Sequence, residues 1–174
     1  MKSVLMSINP KWCKLIASGK KTVEVRKTRP KINVPFKCYI YCTKNGKSLI
    51  KNDISTTIGF IAKNGGKVIG EFVCDAILSH CEMANADIAE IQGRIKREKL
   101  LEYSNGKEIF GWHISDLVIY DKPKDLTEFK RVCDGNCQSC RYAIWQTNGW
   151  AYEPYIVDCK PITRPPQSWC YVEE

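Results

Sequence analysis

Lys21, Glu24 and Arg26 put an ammonium, a carboxylate and a guanidinium within six residues, the set of groups that can grip and polarise a polar ligand. Val23 and Val25 stand between them, and this period of two predicts a short strand whose polar face carries Thr22, Glu24 and Arg26. Lys21 has the other parity but falls at the start of the strand, before the pleat is fixed. A carboxylate flanked by cations on a rigid element is either plain surface pairing or a binding site. The residue types alone leave both readings open.

Other candidates lie far along the chain. A strand predicted over residues 67–77 places Ile69, Glu71, Val73, Asp75 and Ile77 on one face, with Glu71 between two aliphatic side chains. A carboxylate so placed is either desolvated and paired, or lines a cavity. Gly70 beside it would let another backbone or a ligand come close. His113 is one of two histidines; a lone histidine is more often structural, with a site role as the alternative. Cys133, Cys137 and Cys140, spaced C-x3-C and C-x2-C, are followed by Cys159. Four thiolates of that kind could hold a structural tetrahedral zinc ion, with free thiols or a redox pair as the alternatives. The other six cysteines are scattered, several in apolar runs where cysteine serves as a small core residue.

These residues need elements to hold them. Residues 4–8 form a short apolar run that predicts a buried strand. Asn9 and Pro10 then supply an N-cap and a first helical position, Trp12, Leu15 and Ile16 an apolar stripe, and Gly19 a left-handed stop. Residues 37–43 alternate Cys38, Ile40 and Cys42 against Tyr39, Tyr41 and Thr43, a strand with its cysteines toward the core. Asn45-Gly46 predicts a turn, and residues 44–66 a loop of low order. Residues 86–102 read as one helix, acidic at its start and basic at its end, as the helix dipole favours. Residues 110–120 read as one strand, 123–129 as a closing segment, and 169–172 as a last strand returning to the body.

The chain of 174 residues has a formal net charge of +8 and a sequence pI near 9.0, with the basic residues spread along it. That balance favours an anionic partner, most simply nucleic acid, met by a basic face. No apolar run reaches the length of a membrane span and no signal peptide is apparent, so the expected location is cytoplasmic, with no membrane partner.

Gly19, Lys21, Glu24 and Arg26 fit G-x-K-x-x-E-x-R, and on that motif the chain resembles the ASCH family, which carries it on a helix-to-strand turn. The resemblance covers residues 1 to about 128 and resumes over 165–173. It implies an α+β fold, a PUA-like small mixed β-barrel with flanking helices, over residues 1–130. Residues 131–162 would then be a Cys-rich insertion with possible zinc binding, and 163–174 a C-terminal strand returning to the barrel. It further implies an RNA- or nucleotide-binding protein that recognises an unpaired or modified nucleotide in a basic cleft. The residues expected to bind are Lys11, Trp12, Arg26, Lys27, Arg29, Tyr41, His113 and Trp169. The alternative is a hydrolase of the same fold, an amidohydrolase on acetylated cytidine or a ribonuclease. Lys21 and Glu71 match its lysine and its acid/base glutamate, and Glu24 stands where those amidohydrolases carry threonine. That departure matters, because a carboxylate cannot replace an attacking alcohol.

Overall fold

The computed structural model describes residues 2–44, 57–85, 87–132 and 161–173. The Asn45-Gly46 turn and the four clustered cysteines (Cys133, Cys137, Cys140 and Cys159) lie outside the described residues. Among the described residues, no group of three or more His, Cys, Asp or Glu side chains could hold a metal ion. Nor is any described helix long and apolar enough to cross a membrane.

Strand β1 (Lys2–Ile8) is buried at all but its first residue, because both of its sides are covered. It pairs in parallel with β3 (Phe36–Cys42) and antiparallel with β9 (Trp169–Glu173). The sheet continues through β4 (Val68–Cys74) and β7 (Ser115–Lys124) at one end and β8 (Lys130–Arg131) at the other, in the order β7-β4-β3-β1-β9-β8. A second sheet has the order β2-β6-β5, built from Val23–Arg26, Phe110–His113 and Ile77–Leu78. The architecture is the mixed α+β one expected, with the barrel left open: among the described residues, β7 and β8 end the large sheet without meeting.

Between the sheets, Val4, Met6, Ile8, Cys38, Ile40, Cys42, Phe72 and Cys74 pack with Trp112 and with Cys13 and Ile16 of α1 (Pro10–Ala17). The far face of the large sheet has its own core, in which Leu5, Tyr39, Tyr41 and Val172 meet Leu126 and Phe129. Burial pushes the Cys13 and Cys38 thiols well up and Cys74 up to about 12, so these cysteines are protonated core residues. A third cluster sets Val23 and Val25 of β2 against Met83 of the short helix α3 (His80–Met83), Ala89, Leu100 and Ile109.

Three expectations are corrected. Part of the supposed loop over 44–66 is a helix, α2 (Thr57–Lys63), whose Ile61 is buried in the main core. The single strand over 110–120 is two strands in two sheets: the break falls at Ile114, whose amide donates to Thr22 O at 2.8 Å, and Asp116, the second residue of β7, takes φ +44°. The single helix over 86–102 is broken. It consists of a π-helical turn (Asp87–Gln92), a bend with Arg94 at φ +55°, and α4 (Arg97–Ser104). The basic end predicted for it is therefore not an end. Arg97 opens α4, with its amide held by Glu90 Oε1 at 3.1 Å.

Gly70 of β4 lies where the neighbouring strand comes close. A β-carbon there would run into Val118 O and sit 3.1 Å from Ile119 Cα, and backbone cannot yield as a side chain can. Gly70→Ala is expected to destabilise the protein by about 1–3 kcal/mol. Urea denaturation would show it, and an unchanged midpoint would contradict the close approach.

Candidate functional site

The turn out of α1 is built backbone first. Asn9 caps the helix, its side chain accepting from the Lys11 amide at 2.9 Å, and Gly19 stops it at φ +70°. The Lys21 amide bonds back to Leu15 O at 3.0 Å, which folds the chain under the helix and buries the Lys21 side chain to 1% exposure. Its ammonium donates to Val23 O at 2.7 Å and Gly93 O at 2.6 Å and sits 3.4 Å from Glu24 Oε2. Gly93 O is available because the helix breaks there. The broken segment holds the turn again through Arg94 Nε, donating to Lys20 O at 2.6 Å, and Gln92 O, accepting from the Thr22 amide at 3.0 Å.

Along β2 the parity of two works as expected. Val23 and Val25 face the third cluster, while Glu24 pairs across the ladder with Trp112 and Arg26 with Phe110. Arg26 Nη2 lies 3.0 Å from Glu24 Oε1 and donates to Ser7 O at 2.7 Å; Nη1 reaches Ser168 Oγ at 3.4 Å. The three charges thus share one buried cluster, two cations around a single carboxylate, with a net charge of +1. Burial pushes the Lys21 pKa down, and the Glu24 carboxylate works against that.

Among the described residues, two donors of the cluster have nothing to bond. Arg26 Nε and Trp112 Nε1 are buried without a hydrogen-bond partner, and an orphaned buried donor costs about 1–3 kcal/mol. Aromatic rings flank the charges. Trp12 lies under the ammonium groups of Lys21 and Lys11, 5.0 and 4.8 Å from its ring centroid. Trp169 packs 5.6 Å from Trp112, and its indole donates to Thr28 Oγ1 at 3.0 Å.

Of the expected binding residues, Lys11, Trp12, Arg26, Lys27, Arg29 and Trp169 gather at this cluster or on the elements that frame it. Lys27 and Arg29 are exposed over the rings of Tyr103 and Phe110, at 4.8 and 5.7 Å. Three expected site residues are elsewhere. Glu71 stands opposite Tyr39 on the far face of the large sheet, where it accepts from the Tyr120 hydroxyl and lies 3.5 Å from Lys37 Nζ, rather than beside Lys21 or Arg26. Of the expected Ile69–Glu71–Val73 face only Ile69 takes the core side, together with Phe72 and Cys74, because the pairing register with β3 slips at Ile69 and sets it out of phase with Glu71 and Val73. Tyr41 is buried in the far-face core, at an open pocket lined by Thr43, Asp125, Thr127 and Thr163. His113 pairs through Nδ1 with Asp75 at 2.6 Å, and that bond holds the Asp75 carboxyl below its usual range.

Sequence reasoning missed Ser7, Gly93, Trp112 as a partner of the cluster, and Tyr103. Ser7, Gly93 and Trp112 reach the cluster through pairing distant in sequence, so no local pattern marks them, and Tyr103 lies beside it under the ammonium of Lys27. Tyr103 had one visible signal, an aromatic directly after the charged 86–102 segment.

The profile of the ASCH domain matches residues 6–166, most of the chain. The chain belongs to the ASCH family. That family is PUA-like and linked to RNA binding. Among solved structures, the chain is similar to the crystal structure of an ASCH protein from Zymomonas mobilis, with a TM-score of 0.58 and 18% identity, covering 99% of this chain and 88% of that one. Two single-substitution variants of the Zymomonas mobilis protein give TM-scores of 0.55 and 0.54 at 18% and 17% identity; they cover 100% and 99% of this chain, and 92% and 89% of theirs. At such identity the likeness speaks for the ASCH fold alone. A search of curated protein sequences gives no match.

Proposed function

We propose that this ASCH domain binds RNA by taking one unpaired or modified nucleotide into the cleft at Lys21, Glu24 and Arg26. The observation that carries the reading is the buried cluster with its net positive charge and its two partnerless N–H donors, Arg26 Nε and Trp112 Nε1. An excess cation in a desolvated place favours an anionic or acceptor-rich ligand. Indole faces beside it suit a base, since unpaired bases are recognised by stacking together with hydrogen bonds to their edges. Trp169 is the stacking candidate, with Trp12 across the cluster, and Lys11 offers a cation at the rim.

The hydrolytic alternative has less geometric support. Lys21 directs its ammonium at Val23 O, Gly93 O and Glu24, and Glu71 works with Tyr120 and Lys37 on the other face of the sheet. Incubation with acetylated cytidine and with single-stranded RNA is expected to leave both intact; turnover of either would restore that alternative.

Binding is tested with a fluorescently labelled single-stranded RNA nonamer by anisotropy. Affinity is expected to fall as salt rises, and Trp169→Ala to weaken it by about 1–3 kcal/mol, the worth of one base stacked on an aromatic ring. Trp169→Phe, which keeps a ring on β9, should retain most of the affinity. Binding indifferent to salt, or unchanged in Trp169→Ala, would overturn the proposal.

A further inference from the structure

The backbone leaving β2 is tied down and displays cations. Thr28 Oγ1 accepts from the Trp169 indole, and the Lys31 amide donates to the Tyr171 hydroxyl at 2.7 Å, so the segment is fastened to β9. On either side of Thr28, Lys27 and Arg29 lie over the rings of Tyr103 and Phe110. Exposed lysine and arginine side chains ordinarily sample many rotamers; here two of them rest on aromatic faces two residues apart.

Tyr103 joins this lip to the cleft. It is 41% exposed, a large ring left open to solvent on α4. Its hydroxyl nevertheless feels the buried charges: burial raises its pKa, Arg26 lowers it and Glu24 raises it. An exposed ring with the ammonium of Lys27, the residue after Arg26, over it has the form of a stacking platform with a phosphate ligand beside it. A single nucleotide held at Lys21, Glu24 and Arg26 would leave this lip unused.

We infer that the cleft takes its nucleotide as part of a single strand, with Tyr103 stacking the neighbouring base and Lys27 and Arg29 holding the phosphates that lead out of the cleft. This rests on the binding proposed above and deepens it: the partner is single-stranded RNA of at least two nucleotides, not a free nucleoside or mononucleotide. The deep cluster reads one base and the lip tracks the backbone.

The test compares the RNA nonamer with the four ribonucleoside 5′-monophosphates, using the wild-type chain, Tyr103→Ala and Lys27→Ala/Arg29→Ala. These side chains are exposed, so the variants are expected to fold, and thermal melting checks it. The nonamer should bind at least tenfold more tightly than any monophosphate. The double variant should lower the slope of log affinity against log salt by about 1.4, two phosphates at roughly 0.7 each. Tyr103→Ala should weaken the nonamer about tenfold and leave monophosphate binding unchanged. A monophosphate that binds as tightly as the nonamer would overturn the strand path while sparing the cleft, as would an unaltered salt slope in the double variant. Absence of binding by every ligand would overturn both.

Discussion

Glu24→Ala is expected to lower the stability of the folded chain by about 3–5 kcal/mol, a large share of the roughly 5–15 kcal/mol that holds a domain folded. The reason lies in the count of charges. Glu24 is the carboxylate that meets both Lys21 and Arg26, which are 1% and 8% exposed. Its removal leaves two like charges together in a desolvated space, and neither can move to water without undoing the turn that Lys21 holds through Gly93 O. Glu24→Gln keeps the shape and an acceptor oxygen but not the charge, so its loss should be smaller. Guanidinium denaturation followed by tryptophan fluorescence measures both. A loss below about 1 kcal/mol for Glu24→Ala would mean that the cluster is hydrated and behaves as a surface pair.

Trp112→Ala is expected to cost about 3–5 kcal/mol as well, by emptying the largest fully buried side chain in the core between the sheets. The ring meets Phe36 edge-on and Trp169 at a tilt, both at 5.6 Å between centroids, so one deletion loosens both of its aromatic neighbours. Trp112→Phe separates volume from polarity. It also gives up volume, but it removes an N–H that has no partner. The second effect offsets the first, and a net loss of about 1 kcal/mol is expected. A Phe variant as damaged as the Ala variant would show that the indole N–H is satisfied in solution.

How much of this was legible in the sequence depends on how far each cause lies along the chain. The helix from Pro10 to Gly19 and the strand after it are local matters of capping and alternation, and the parity of Glu24 and Arg26 followed directly. Lys21 joined them because the turn folds it under α1, which the pattern of alternation does not encode. Glu71 and Tyr41 were misplaced for one reason: their strands are covered on both faces, so the sequence offers no polar phase to show which side meets the cleft. The break at Gly93 is supported by a lysine 72 residues away. Helical periodicity over 86–102 had no means of registering it. Ser168 and Trp169 come to the cleft because β9 pairs with β1, a long-range pairing that depends on the whole sheet.

Entry of the nucleotide into the buried cluster is reported directly by the indole N–H signals of Trp12, Trp112 and Trp169. In a ¹⁵N–¹H titration of the chain with the RNA nonamer, these three are expected to shift together and saturably. Trp112 should shift farthest, as its partnerless N–H gains an acceptor. If the nonamer binds while the Trp112 signal stays where it is in the free protein, the RNA lies on some other surface and the cleft is not its site.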